Sequence, residues 1–488
     1  MHIGRKVWLR PAESSDRLDA MSEEKAGDLK RVIGFWGGTA LIVGITIGSG
    51  IFRKPGTLAQ NLPHPWVILS LWMSLGAICL FGALTVAELA SMLPKTGGSY
   101  VFLRAAYGDS SAFVFGWLYL MVTAPAGIGA LAMFFAELLL GVLGKNPHDL
   151  AWWVIPSIAS GAIVFFSLAN LLGALFGAAI QSLFTFIKVG ALVLIMLASI
   201  FLSHGSFSHF GGGKPIEFGK LGGGIAGVIW AYDGWIAVSM IAGEVMAPEK
   251  LLKRIIVFGM LAIVVLYVGA NLAYFYAMPL NAMAAQKEFV PQKLMADALN
   301  PTMGTAISFC IMCSVLGALS GNVLAKPRVS YALAQDGLTF RFLGWAHPRW
   351  SSPYAAILIQ AAVAVAIVFY MANFDDITTY FVVVEWFALL FTVGAVFVLR
   401  KKMPDAPRPF RTPGYPWVPL LFIVGTALGL AAIVWGELQN TKIVDGKSVP
   451  APNYSPLWGL LIAAAGFPVF WIWKRVTGGN AAATKQTV

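Results

Sequence analysis

Two short glycine-containing strings interrupt apolar stretches of the chain about midway. They are Gly48-Ser49-Gly50 and Ala231-Tyr232-Asp233-Gly234. If these stretches are membrane helices, each interruption frees backbone N–H and C=O groups, which are costly in hydrocarbon unless a polar partner satisfies them. A bound ligand is a natural partner, so both strings are candidate binding segments.

The chemistry at the two breaks favours a zwitterionic ligand. Amide donors at the start of the second half-helix can converge on an anion, with the positive end of the helix dipole behind them. Carbonyls freed just before the first break and within the second can accept from an ammonium group. This combination suits the α-carboxylate and α-amine of an amino acid. The predicted substrate-binding residues are Thr46, Ile47, Gly48, Ser49, Gly50, Trp230, Ala231, Asp233 and Gly234.

Three charged residues, Lys188, Asp233 and Glu385, fall inside apolar stretches. A charge at the centre of a membrane helix costs at least ~2.5–3.5 kcal/mol, so each is a candidate functional residue. Lys188 could instead donate to carbonyls of the broken helix, and Asp233 could cap a half-helix. Glu385 could line the same cavity, pair with Lys188, or hydrogen-bond in protonated form to a neighbouring helix.

Composition explains why the elements that position these residues must be membrane helices. Of 488 residues, 58% are hydrophobic and only 12% are charged. Soluble domains carry roughly 25% charged residues, so an ordinary soluble enzyme is excluded. The three cysteines, Cys79, Cys310 and Cys313, lie in apolar runs and cannot form a disulfide framework. We predict an all-α polytopic membrane protein.

A spanning helix needs roughly 20 mostly apolar residues, and the chain contains about twelve such runs. Their approximate bounds are 34–60, 66–92, 111–142, 151–172, 176–203, 222–243, 253–278, 304–326, 353–372, 376–399, 415–436 and 455–474.

The two interruptions fall in predicted spans 1 and 6, at comparable places in two halves of the chain. We therefore expect an inverted repeat of five plus five spans, with discontinuous helices 1 and 6 and two additional C-terminal helices. The predicted divisions are a cytosolic N-terminal tail, 1–33; the first repeat, 34–203; an outer loop, 204–221; the second repeat, 222–399; spans 11 and 12 with an inner basic loop, 400–474; and a cytosolic C-terminal tail, 475–488.

The net charge of +11 is explained by orientation in the membrane. Most Lys and Arg residues fall in loops on one side, and the run from Arg400 to Arg411 is the densest. This bias predicts a multi-pass protein of the plasma (inner) membrane with both termini in the cytoplasm. It does not indicate a groove for nucleic acid.

Five strings in order along the chain resemble the amino acid–polyamine–organocation transporters, and within them the L-type amino acid transporter-like branch. They are Gly44–Phe52 (GITIGSGIF), Ala87–Tyr100 (AELASMLPKTGGSY), Trp230–Trp235 (WAYDGW), Arg328–Gly337 (RVSYALAQDG) and Arg408–Pro416 (RPFRTPGYP). The resemblance implies a twelve-helix fold, a substrate site at the midplane between spans 1 and 6, and alternating access without an enzymatic step.

The resemblance also implies roles for single residues. Lys188 matches the lysine that replaces a coupling sodium ion between spans 1 and 8 in sodium-independent members, with Ser320 and Asn322 as its expected neighbours. Trp230 matches an aromatic residue that closes over the substrate. The string around Asp233 is similar to that of cystine and dibasic amino acid exchangers. Whether Asp233 contacts substrate or caps a half-helix stays open.

The predicted function is sodium-independent exchange of α-amino acids, neutral and possibly cationic. Proton-coupled uptake is the alternative within transport, and an amino-acid sensor that does not transport is the alternative from another class. No nucleophile–base set, Walker motif or HExxH string indicates an enzyme, and no cofactor or metal is expected. The loop Gly141–Leu150 lacks the cysteine that relatives use to bind a heavy chain, so no disulfide-linked partner is expected.

Overall fold

The computed structural model describes residues 29–145, 149–211, 213, 217–286, 290–371, 373–444 and 447–476. Among these residues, ten helical segments are long and apolar enough to cross a membrane. Most of the predicted tails, 1–33 and 475–488, lies outside the described residues. The chain is an all-α polytopic membrane protein, as its composition predicts.

The ten membrane-length segments are Phe35–Asn61 (α1 and α2), Pro65–Met92 (α3), Asp109–Val142 (α5 and α6), Phe176–Phe201 (in α8, Ala174–Phe201), Pro248–Ala277 (α11), Pro301–Gln335 (α14 and α15), Tyr354–Met371 (α16), Phe374–Lys402 (α17), Trp417–Leu438 (α18) and Ser455–Val476 (α19). Two shorter helices take the places of predicted spans 4 and 6, namely α7 (Val154–Asn170) and α9 (Phe218–Tyr232). The remaining short helices are α4 (Ser99–Tyr107), α10 (Ala237–Met240), α12 (Leu280–Gln286) and α13 (Val290–Ala298).

Both predicted interruptions are present. The first span divides into α1 (Phe35–Thr46) and α2 (Gly50–Asn61). In the sixth span α9 continues to Tyr232, and the break begins at Asp233, slightly later than the sequence predicted. Gly234 has φ +114°, a conformation that L side chains rarely adopt, which explains why the helix ends there.

Two spans differ from the prediction in ways that bear on the site. The third widens into a π turn, Tyr119–Thr123, between α5 (Asp109–Leu118) and α6 (Ala124–Val142). The eighth does not end at residue 326 but continues from α14 (Pro301–Ala325) into α15 (Pro327–Gln335). Lys326 therefore lies at a helix junction.

A small antiparallel hairpin departs from the all-α expectation. Strand β1 (Thr441–Val444) pairs with β2 (Lys447–Pro450), with Thr441 opposite Pro450. The hairpin lies between α18 and α19, away from the interrupted helices, and does not change the fold class.

The interrupted helices lie at the centre of the bundle. Helix α2 packs against α9, and α1 packs against α8, α11 and α14. Ile47, Trp230 and Phe381 belong to one continuous cluster of buried hydrophobic residues. This packing brings both breaks next to the middle of α8 and the end of α14.

Candidate functional site

A small cavity lies where the two breaks meet. Its volume is about 20 Å³, which is room for about one water molecule. The lining residues are Ile45, Thr46, Gly48, Ser49, Gly50, Gly127, Leu131, Trp230, Asp233, Asn322, Lys326 and Phe381. Seven of the predicted site residues are among them: Thr46, Gly48, Ser49, Gly50, Trp230, Asp233 and Asn322.

The first break presents backbone donors to this cavity. The N–H groups of Phe52 and Arg53 bond to the Ser49 carbonyl at 3.3 and 2.9 Å. Among the described residues, the N–H groups of Ser49, Gly50 and Ile51 have no hydrogen-bond acceptor. Unpaired donors at a helix start form a ready anion site, as the sequence predicts for a carboxylate.

Tyr267 of α11 joins the two breaks. Its hydroxyl oxygen lies 2.7 Å from the carbonyl oxygen of Thr46 and 2.9 Å from that of Ala231. Sequence reasoning missed this residue, because a tyrosine in an apolar helix carries no signal that separates it from a packing residue. The hydroxyl has one proton to share between these two carbonyls, so both keep the capacity to accept a further hydrogen bond.

Gly50 and Gly234 allow the breaks to pack closely. A Cβ on Gly50 would lie 2.4 Å from the Cα of Ala231. A Cβ on Gly234 would lie 2.6 Å from Ile45 Cγ2 and 3.1 Å from the Thr46 nitrogen. Neither Ala231 nor Gly234 lines the cavity, and both shape it through this contact.

Lys188 is fully buried and its ammonium group is surrounded by carbonyl oxygens. Nζ donates to Gly44 at 2.6 Å, to Ile47 at 2.9 Å and to Ser314 at 2.7 Å. The Ser314 hydroxyl also donates to the Ile47 carbonyl at 2.9 Å. All three ammonium donors are used, and they tie α1 to α14.

The prediction that Ser320 and Asn322 of α14 are the neighbours of Lys188 was wrong. The Ser320 hydroxyl accepts from Asn170 of α7 at 3.2 Å. Asn322 donates to the Ala318 carbonyl at 2.8 Å and lines the cavity. Ser314, six residues before Ser320, faces Lys188 instead. Six residues rotate a helix by about 600°, so the two serines point in directions about 120° apart.

Aromatic rings close one side of the cavity. Trp230 Nε1 donates to the Ser49 hydroxyl at 2.9 Å. The Trp230 ring makes edge contacts with Phe374 and Phe381, at centroid distances of 5.9 and 5.2 Å. The tryptophan therefore covers the cavity from the side of α17.

Glu385 is close to the site but does not line the cavity. Its Oε1 accepts from the hydroxyl of Tyr119, on the π turn, at 2.7 Å. The predicted pairing with Lys188 is wrong, because the ammonium donors of Lys188 all go to carbonyl oxygens. The cation that interacts with Glu385 is Lys326.

Lys326 is a site residue that sequence reasoning missed. It lines the cavity together with Asp233 and is only 4% exposed. Both Asp233 and Glu385 act on it electrostatically. The signal was present as a lysine at the end of an apolar run, but a lysine at the end of a membrane helix commonly extends to the interface and does not by itself indicate a site.

Ion pairs close the bundle at both ends. Beyond Trp230, Arg53 pairs with Glu137, and Lys54 pairs with Asp375 at 2.8 Å. We call these four residues the α2-end cluster. Glu137 therefore uses its charge inside the bundle, on a neighbouring helix.

At the opposite end, the carboxylate of Glu244 accepts from the Arg328 guanidinium at 2.8 Å, with both side chains buried. Glu88 accepts from Arg400 at 2.7 Å and from the backbone N–H of Thr412 at 2.7 Å. Both carboxylates hold connecting segments.

Comparison with known proteins supplies the family. Residues 33–472 match the amino acid permease family. The chain is 31% identical over 451 residues to the serine/threonine exchanger of Bacillus subtilis, covering 92% of this chain and 98% of that protein. It is 27% identical to the human b(0,+)-type amino acid transporter 1, with 87% of each chain covered. It is 26% identical to the human cystine/glutamate transporter, over 88% of this chain and 86% of that protein.

The fold and site define a membrane transporter rather than an enzyme. The chain belongs to the amino acid permease family of the amino acid–polyamine–organocation superfamily, and its relatives include the L-type branch that the motifs resemble. Its function is amino acid transport.

Proposed function

We propose that the protein is a sodium-independent exchanger of neutral α-amino acids that works by alternating access. The observation that carries this proposal is the contact of Lys188 with carbonyl oxygens on both α1 and α14. A covalently attached ammonium group there supplies the positive charge that a bound sodium ion would otherwise supply.

The unpaired N–H groups of Ser49, Gly50 and Ile51 support binding of the substrate carboxylate. The carbonyls of Thr46 and Ala231 are the acceptors available to the α-ammonium group, since a carbonyl oxygen can accept two hydrogen bonds. Trp230 covers the bound amino acid, and its position over the cavity supports that assignment.

The cavity volume of about 20 Å³ is smaller than any α-amino acid. Substrate binding therefore requires expansion of the site, and release requires opening of one end. The α2-end cluster and the Glu244–Arg328 pair are the contacts that must separate in turn. Gaps that open alternately at the two ends are what alternating access requires.

The distribution of basic residues supports the orientation. Arg400, Lys401 and Lys402 are in the last turn of α17, where Arg400 pairs with Glu88 of α3. Asp375 of the α2-end cluster is in the first turn of the same helix, at its opposite end. By the positive-inside rule the end with Arg400 faces the cytoplasm, and both termini are cytoplasmic. We also propose that the chain acts at the plasma (inner) membrane without a disulfide-linked heavy chain.

Reconstitution of the purified chain tests the proposal. Uptake of radiolabelled amino acids into proteoliposomes should depend on unlabelled amino acid inside and persist when choline replaces sodium. Activity of the chain alone would support the absence of a required partner. Equal uptake into empty vesicles would contradict exchange, and loss of uptake without sodium would contradict the assignment of Lys188.

Proton-coupled uptake is a second candidate, favoured by one specific observation. Asp233, Glu385 and Lys326 form a buried group of three titratable side chains beside the cavity. In empty vesicles, an inward proton gradient would drive accumulation if these groups coupled transport to protons. An exchanger shows no such accumulation, so the same vesicles separate the two mechanisms.

A further inference from the structure

The ammonium group of Lys326 lies in the cavity wall, at the junction of α14 and α15. It is buried, yet it has little direct hydrogen bonding. The bond found for it among the described residues goes to the Thr123 carbonyl and is 3.5 Å long. Lys188, in contrast, donates three bonds of 2.6–2.9 Å to its carbonyl neighbours. An ammonium group has three donors, so the partners of Lys326 must include something else.

The other partners of Lys326 are an aromatic ring and two carboxylates, which interact with its positive charge. The Nζ atom lies 4.5 Å from the centre of the Phe381 ring, within the range of a cation–π contact. The carboxylates of Asp233 and Glu385 both attract it. Asp233 and Lys326 line the cavity, whereas Glu385 is held behind it by Tyr119. The cavity thus contains an acid and a base that compensate each other.

We infer that Lys326 is a specificity-determining residue, a tethered cation that compensates the Asp233 carboxylate and thereby excludes amino acids with cationic side chains. The inference rests on the proposed function and names which substrates the same site rejects. An arginine, lysine or ornithine side chain that entered the cavity to reach Asp233 would be brought close to the ammonium group of Lys326, because both residues line this cavity. A neutral side chain brings no such charge.

The position of Lys326 explains why this selection acts on the side chain and not on the α-amino acid groups. The α-carboxylate donors are at Ser49–Ile51, on the first break. Lys326, Phe381 and Gly127 form a separate part of the lining, contributed by the α14–α15 junction, α17 and α6. A Cβ on Gly127 would lie 2.8 Å from Nζ, so the ammonium group is directly above this glycine.

Competition experiments with single variants test the inference. Wild-type exchange of a neutral amino acid should resist millimolar arginine, lysine and ornithine. In Lys326→Gln and Lys326→Met, the arginine concentration that halves neutral uptake should fall at least about tenfold, because a buried carboxylate becomes available for a charge-assisted hydrogen bond. The double variant Asp233→Asn/Lys326→Gln should lose this gain. Lys250→Gln removes an exposed lysine at the start of α11 and should behave as wild type.

Size-exclusion elution and thermal unfolding of each purified variant establish that it is folded. If a folded variant does not transport, stabilisation by arginine compared with a neutral amino acid, measured by thermal shift, replaces the flux measurement. Unchanged arginine competition or binding in both Lys326 variants would overturn the inference. Inhibition of the wild type by arginine would also overturn it. Inhibition of the wild type by glutamate would do the same, because it would require an ammonium group of Lys326 that is not compensated by Asp233. If the wild type exchanges no amino acid at all, the proposed function itself fails.

Discussion

The indole Nε1 of Trp230 donates a 2.9 Å hydrogen bond to the hydroxyl of Ser49. The two residues come from the two interrupted spans, so the bond joins the sixth span to the first at the wall of the cavity. Ser49 also contributes an unpaired backbone N–H. The same residue therefore fixes the covering ring and belongs to the proposed carboxylate site.

Removing this bond should weaken substrate binding. Trp230→Phe and Ser49→Ala each delete one buried hydrogen bond, typically worth about 1 kcal/mol, so we expect KM for exchange to rise about three- to tenfold. Because both substitutions remove the same bond, their effects should not add in the double variant. Initial exchange rates measure this, and fully additive effects would show that the bond itself is unimportant.

Lys188→Ala should remove most exchange activity and lower the unfolding temperature. The substitution leaves the carbonyls of Gly44 and Ser314 without their ammonium donor, at a cost of about 1–3 kcal/mol for each buried group. Thermal unfolding in detergent and flux in proteoliposomes measure the two effects. Lys250→Ala, at an exposed position on α11, is the matched control. Full activity of Lys188→Ala would contradict its assignment as the resident cation.

Tyr267→Phe should slow exchange without preventing folding. The variant keeps the ring packing but removes the hydroxyl between the carbonyls of Thr46 and Ala231. We expect a stability loss of about 1–3 kcal/mol and a lower turnover number, because the two breaks no longer share a donor. Tyr370→Phe, a highly exposed tyrosine on α16, is the control. An unchanged turnover number would mean that the shared hydroxyl serves packing alone.

The α2-end cluster should control access to the site from the proposed outer side. Lys54→Asp places a like charge next to Asp375 and should favour the open state, and Lys54→Asp/Asp375→Lys should restore closure. Since Asp375 is half exposed, we expect a shift of about 1 kcal/mol or less. Labelling of Asn322→Cys by an impermeant thiol reagent reports access. Equal labelling in all three proteins would remove this pair from the gating mechanism.

Gly50→Ala should destabilise the protein because of helix packing. The added Cβ would lie 2.4 Å from the backbone Cα of Ala231, and backbone atoms cannot move aside cheaply. Gly161→Ala on α7 has open space for its Cβ and serves as control. Comparable unfolding temperatures for the two variants would contradict the close approach of α2 to α9.

The features that could be predicted from the sequence are those with a high local energetic cost in the membrane, namely the helix breaks and a buried charge. Backbone groups freed at a helix break and a charge such as that of Lys188 are both costly in hydrocarbon, so the two interrupted strings and the buried lysine could be identified from the sequence. The break in span 6 was placed slightly early because Tyr232 remains helical and only Gly234 adopts a positive φ. A high local energetic cost indicates that a helix break exists, but it does not fix the residue at which the helix ends.

Features that depend on helix rotation or on distant partners could not be predicted. Ser314 and Ser320 lie on one apolar helix, and choosing between them requires knowing which face meets α8. Tyr267 has no sequence signal at all, since its partners are backbone carbonyls on two other helices. Lys326 was not selected as a site residue because it is the last residue of the predicted span 304–326, whereas α14 continues into α15 and makes it a residue of a helix junction.

The fixed cation at Lys188 has an energetic consequence for the cell. A sodium ion can enter with substrate on one face and leave on the other, and so transfers the free energy of its gradient to the cargo. An ammonium group bonded to α8 never leaves the protein, so no such gradient performs work through it. The proposed exchange would therefore alter the composition of an amino acid pool while leaving its total size to other carriers.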